Sequence, residues 1–188
     1  MNDFLSRIDK NNWILLATSF LVIIMDQVSK YLIKSSMYLY ESFDVLGDFF
    51  RITYVENPGM AFGIRMENKT LFTMLSIVAA IIVFIYLIRM SKEQFSFRFA
   101  LALIMGGAIG NLIDRLLEGK VVDFFDVEFF DISIPDFSFL FIEFPGYAMT
   151  RWPVFNIADS AVTCGMLLIF WYILFQNSPE KQGISSEA

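Results

Sequence analysis

The stretch TLFTMLSIVAAIIVFIYLI, residues 70–88, carries no charged side chain. As a helix rising about 1.5 Å per residue it is long enough to cross the roughly 30 Å of hydrocarbon in a bilayer. Three further stretches read in the same way. Residues 13–33 are uncharged through Met25 and then carry Asp26 and Lys30. Residues 99–117 end on Asp114 and Arg115, and residues 153–175 open on Pro153, suited to a first helical turn, with Asp159 close to the start. A cleavable signal peptide is the rival reading of the first stretch, but no small-x-small site follows it and three more spans do. The expected fold class is therefore an all-α membrane protein of four transmembrane helices, one domain over residues 1–188.

Composition agrees with that class. Of 188 residues, 56% are hydrophobic and 17% aromatic, and the mean hydropathy is +0.58, too apolar for a soluble domain of this size. A net charge of −6 argues against a nucleic-acid partner, which requires a basic surface. Histidine is absent and there is a single cysteine. That excludes Ser-His-Asp and Cys-His catalysis, an internal disulfide and most zinc sites, leaving carboxylates, amides, hydroxyls, Lys and Arg to run any chemistry.

Arg89, Lys92 and Arg98 crowd the linker between the second and third spans, which the positive-inside rule makes cytoplasmic. Both termini, with Arg7, Lys10 and Lys181, then share that side, and loops 35–69 and 118–152 face outward. Within these loops the run from Phe50 to Val55, closed by Asn57-Pro58-Gly59, reads as a strand and turn, and Val127 to Ile134 reads as a second strand. A small extracytoplasmic β element is expected. Residues 137–144 are aromatic enough for the headgroup layer, and a polar tail spans 177–188.

Ionisable groups in membrane helices cost about 2.5–3.5 kcal/mol at the centre, so their positions are informative. Asp26 and Lys30, then Asn111, Asp114 and Arg115, then Asn156 and Asp159 all fall at the outward ends, at i, i+3 or i+4 spacings that put each set on one helix face. Blander readings stand beside this. Asp26 with Lys30 can be an intrahelical ion pair, Arg115 a structural knot, Asp123 a loop acid, and Gly106 with Gly110 a close-packing GxxxG. Cys164 reads as membrane core. Asp159 has no basic neighbour in sequence and favours function. Two carboxylates sharing a proton support aspartic-protease chemistry, one acting as acid and the other as base on water. The spacing permits a pair among Asp26, Asp114, Asp123 and Asp159 without choosing one. Ser29 beside Lys30 is a poor dyad, because adjacent helical residues point apart.

Five segments in order resemble the bacterial lipoprotein signal peptidases (type II signal peptidases). Asp26-Gln27-Val28-Ser29-Lys30 is similar to the family's DQxxK, and Asn57-Pro58-Gly59-Met60-Ala61-Phe62 to NxGxAF. Gly106 to Arg115 is similar to GGAxGNxxDR, Val121-Val122-Asp123-Phe124 to VVDF, and Phe155-Asn156-Ile157-Ala158-Asp159-Ser160 to FNxADS. The resemblance implies an intramembrane aspartic endopeptidase of the bacterial inner membrane, its active site near the outer leaflet. It would cleave prolipoproteins just before a diacylglyceryl-modified cysteine. By the same resemblance Asp123 and Asp159 are the dyad. Asn111, Arg115 and Asn156 line and orient the site; Asp26, Lys30, Asn57 and Gly107 contact substrate or support the dyad; and Asp114 is the runner-up acid. No metal or cofactor is implied, since the dyad needs only water, and the partners are prolipoproteins and membrane lipids, with the enzyme a monomer. The chain departs from the family pattern in a long Phe- and Asp-rich stretch over 126–152, expected to cap the site or lie in the headgroup layer. A proton-coupled transporter and a non-catalytic scaffold are the competing classes. Acids gathered at one face rather than at the midplane, with no internal repeat, weigh against the transporter.

Overall fold

The computed structural model describes residues 10–58, 60–61, 64–65, 69–90, 92–129, 131–139, 142–144 and 146–176. Arg7, Gly59, Phe62 and the tail over 177–188 lie outside them. The elements in order are α1 (Lys10–Ser36), β1 (Ser42–Leu46), β2 (Phe50–Asn57), β3 (Met60–Ala61), β4 (Ile64–Arg65), α2 (Lys69–Arg89) and α3 (Phe95–Glu118). They are followed by β5 (Val121–Val127), β6 (Ile132–Ile134), β7 (Phe137–Phe139), β8 (Ile142–Phe144), β9 (Tyr147–Met149) and α4 (Ile157–Gln176). Among the described residues three helical stretches are long and apolar enough to cross a membrane, Asn12–Ser36, Phe95–Glu118 and Ile157–Phe175, and the apolar run Thr73–Arg89 is shorter. The architecture is mostly helical with small sheets, in keeping with a membrane enzyme.

α3 is the hub, packing against α1, α2 and α4. Its glycines explain the close approach. A Cβ on Gly107 would sit 2.3 Å from the Ala158 carbonyl oxygen, one on Gly106 2.8 Å from that of Ser19, and one on Gly110 2.7 Å from the Asp26 carboxylate. Only hydrogen at Gly106 and Gly107 lets the backbones meet, and only hydrogen at Gly110 leaves room for the Asp26 side chain. The same helix stops sharply: Gly119 adopts φ 70°, and its N–H donates to the Arg115 carbonyl at 3.1 Å, a left-handed cap that redirects the chain straight into β5.

β5 joins β2 and β1 in an antiparallel sheet ordered β1-β2-β5, with Val55 opposite Asp123 and Asn57 opposite Val121. Side chains alternate across a strand. Val122 and Phe124 enter a small core with Tyr54, against which Ile33, Met37 and Ile157 pack, so Asp123 between them is directed to the opposite face.

Three expectations need correcting. The strand of the second outer loop is not one run over 127–134. It covers Val121–Val127, breaks, and resumes only at Ile132–Ile134. Its apolar side chains are buried on both faces, so they form a continuous run rather than the alternation that a half-exposed strand displays. The last helix does not begin at Pro153. Phe155 is held extended, exchanging backbone hydrogen bonds with Phe125 at 2.7 and 3.1 Å, and α4 starts at Ile157. The first helix extends beyond 13–33, to Lys10 and Ser36.

Candidate active site

The start of α4 is built by a reciprocal cap. The Asn156 amide oxygen accepts the Asp159 N–H at 2.9 Å, while the Asp159 carboxylate accepts the Asn156 N–H at 3.2 Å. Asp159 therefore lies in the first helical turn, at the edge of the helix. A neighbouring orphan donor, the Ala158 N–H, is taken by the Asp26 carboxylate of α1 at 3.0 Å. With its oxygen committed to the cap, Asn156 must point its NH2 inward. That group lies 2.7 Å from Asp123 Oδ1 and 3.1 Å from both the Val122 carbonyl and Asn111 Oδ1.

Asn111 of α3 links the second acid. Its oxygen accepts from Lys30 Nζ at 3.0 Å and from Asn156, so its NH2 faces Asp159 Oδ1 at 2.7 Å. Asn57, at the end of β2, donates to the other oxygen of Asp123 at 3.2 Å. Asp123 and Asp159 thus meet across two asparagines, one carboxylate delivered by a strand and the other by a helix N-terminus. Asp123 is almost wholly buried. Burial, reinforced by the neighbouring Asp159 charge, pushes its carboxyl up from 3.8 to about 7.

Asn111 joins the pair to a buried ionic cluster. Lys30 Nζ sits 2.8 Å from Asp26 and 2.9 Å from Asp114. Asp114 also accepts from Gln27 at 2.9 Å and from the Val122 N–H at 3.2 Å, tying α3 and α1 to the root of β5. The Asp26–Lys30 pair is therefore intrahelical, as its spacing suggested, but it is also shared among three elements.

A cavity of about 700 Å³ opens against the two acids. Asn57, Asn111, Arg115, Asp123 and Asp159 line it; Asp26, Lys30, Gly107, Asp114 and Asn156 do not. Gly107 faces the Ala158 carbonyl and Asn156 holds Asp123 from behind, so these five stand outside the cavity lining. Cys164, inside the apolar run of α4, also lines the cavity. Gln27 stands in the first motif without a role assigned from sequence, although its i, i+3 spacing to Lys30 puts it on the polar face of α1, where it donates to Asp114. Phe129 and Trp152, which wall the cavity, carry no comparable sequence signal. Among the described residues no cluster of acids or cysteine could hold a metal ion.

The family model described as signal peptidase (SPase) II matches residues 18–175. The lipoprotein signal peptidase of Moorella thermoacetica is 37% identical over 159 residues, 85% of this chain and 91% of the relative. That of Staphylococcus aureus (strain JH9) is 36% identical over 161 residues, 86% and 88% of the two chains. Two solved bacterial membrane enzyme structures, at 2.3 and 1.9 Å resolution, superpose with TM-scores of 0.71 and 0.66 at 33% and 34% identity. They cover 89% and 86% of this chain and 92% of each neighbour.

Proposed function

The chain belongs to the signal peptidase II family, and on that premise we propose that it is an intramembrane aspartic endopeptidase whose dyad is Asp123 and Asp159. It removes the signal peptides of prolipoproteins, cutting on the N-terminal side of a cysteine that already carries diacylglyceryl. Water held between the acids attacks the carbonyl carbon preceding the cysteine. One carboxylate takes the water proton while the other gives its proton to the carbonyl oxygen. The tetrahedral intermediate then collapses, the C–N bond breaks, and the cysteine nitrogen leaves as an amine with a proton returned from the dyad. Asp123, buried and pushed up to about 7, is suited to hold the shared proton near neutrality.

The observation that carries this reading is the pairing of Asp123 and Asp159 through Asn156 and Asn111 at the edge of a cavity. The enzyme sits as a four-span monomer in the bacterial inner membrane. α2, 21 residues long, is the remaining span, both termini are cytoplasmic, and the dyad lies near the outer leaflet. A lipid-anchored substrate enters sideways, and Asn57 and Arg115 at the cavity wall face its backbone.

The test is cleavage of a diacylglyceryl-modified prolipoprotein by purified protein in detergent. Asp123→Asn and Asp159→Asn, each folded by thermal unfolding, should lose cleavage before the lipidated cysteine. Asp114→Asn, which is off the cavity wall, should retain some turnover. A folded wild-type protein that cleaves nothing refutes the reading.

A further inference from the structure

The stretch that departs from the family pattern forms a finger of two nested hairpins. β6 pairs with β9, Ile132 opposite Met149, and β7 pairs with β8, Phe137 opposite Phe144. Among the described residues these strands make ladders only with one another, and Phe129 and Trp152 lie at the root of the outer hairpin.

That root is strongly made. Arg151 Nε donates to Asp126 of β5 at 2.7 Å, and its NH1 to the Asp48 carbonyl at 2.9 Å and to Glu128. The other Asp126 oxygen accepts from Thr53 of β2 at 2.7 Å. Backbone bonds close both sides, Trp152 N–H to the Val127 carbonyl and Glu128 N–H to the Phe49 carbonyl, each 3.0 Å. Phe129 and Trp152, one on each limb of the root, stand edge to face at 6.2 Å, with Phe49 edge-on to Phe129 at the same distance. A half-exposed aromatic pair on a clamped root is pre-organised, with its contact area already ordered before anything binds.

Phe129 and Trp152 also line the cavity that holds the two acids. Helix residues such as Ala79, Ala108 and Val162 line one part of that cavity, and the root residues line another. A substrate whose signal peptide lies among the helices must carry its chain past this wall immediately after the scissile bond. From this geometry we infer that Phe129 and Trp152 form a specificity wall for the first residues following the lipidated cysteine, with Arg151 as its positioning residue. The wall is apolar. Around it the carboxylates Asp44, Asp48, Asp126 and Glu128 outnumber the guanidiniums of Arg51 and Arg151. Apolar residues should be accepted there and acidic ones resisted.

The inference rests on the proposed peptidase activity, and the experiment separates the two. Full-length enzyme in detergent is given two diacylglyceryl-modified prolipoproteins that differ only in the residue after the cysteine, leucine or aspartate. Wild type should favour the leucine substrate in kcat/KM by about tenfold or more. Trp152→Ala and, independently, Phe129→Ala should raise KM for that substrate by about tenfold with kcat within about twofold, and should shrink the preference to about twofold. Trp152→Phe should restore it, and Phe137→Ala in the finger should behave as wild type. A purely structural defect would lower turnover of both substrates alike. Unchanged KM and preference in both alanine variants, with wild type active, overturns the wall alone. Wild type inactive on both substrates overturns the peptidase reading and the wall with it.

Discussion

Asp123 has the most exposed consequences of any single side chain. Its carboxyl is raised by burial and by the Asp159 charge to about 7, against 3.8 for the free group. As the proton-holding member of the proposed dyad, it loses that proton as pH rises through this value, so kcat/KM should fall on the alkaline side of about pH 7. A pH–rate profile with its upper limb well above pH 9 would contradict this. Stability has the same sign. The folded state holds the proton more tightly than the unfolded chain, so stability falls as pH rises between about 4 and 7 and levels off above. Asp123→Asn, inactive, should therefore melt higher relative to wild type at pH 8 than at pH 4.5, as read by differential scanning fluorimetry. Lys30 makes the complementary case. Its single charge is shared by two buried carboxylates, at 2.8 and 2.9 Å, and Lys30→Met, which removes it, should cost about 3–5 kcal/mol. Adding Asp114→Asn should recover part of that loss in thermal unfolding.

At the scale of elements, the helix contacts decide where the acids stand. Gly107→Ala places a methyl group 2.3 Å from the Ala158 carbonyl, forcing α3 from α4 one residue away from Asp159. Cleavage should drop by about tenfold or more while the helices remain folded, since misplacement by about 1 Å is enough to cost two orders of magnitude. Activity within twofold of wild type would refute that account. The polar ends of the helices were legible in sequence because ionisable residues in apolar runs stand out, and their i, i+3 and i+4 spacings put them on shared faces. The strand carrying Asp123 was harder to place. With Val121, Val122, Phe124 and Val127 buried on both faces, it lacks the alternation by which strands are recognised. The true start of α4 was hidden because Phe155 belongs to a ladder with Phe125, a pairing between segments 30 residues apart that no local pattern contains.

For the whole molecule, the cavity between the helices and the β1-β2-β5 sheet is the organising space. Cys164 on α4 lines it, which makes the chain's one thiol a place from which to block it. A bulky maleimide added to detergent-purified enzyme should suppress cleavage by about tenfold or more through steric block, and Cys164→Ser should be active and indifferent to the reagent. Full activity in quantitatively labelled enzyme would show that substrate does not use this space. The sequence pointed to polar groups at a common depth, but not to how they connect. Asn111 reads as one more polar residue beside Asp114, and only the packed structure shows its oxygen turned to Lys30 and its nitrogen to Asp159. Amide orientation is a product of tertiary neighbours, and so is the wall made by Phe129 and Trp152.

The hub position of α3 bears on how the protein is born. A ribosome delivers α1 before α3, with Asp26 paired only to Lys30 and Gln27 of its own helix. Asn111 and Asp114 arrive about 80 residues later, and the Ala158 N–H that Asp26 accepts later still. The early helices are thus provisional lodgers in the bilayer, and the third helix converts them into a settled bundle. A chain interrupted before α3 would leave Lys30 of its first helix without the Asp114 and Asn111 partners that complete its coordination.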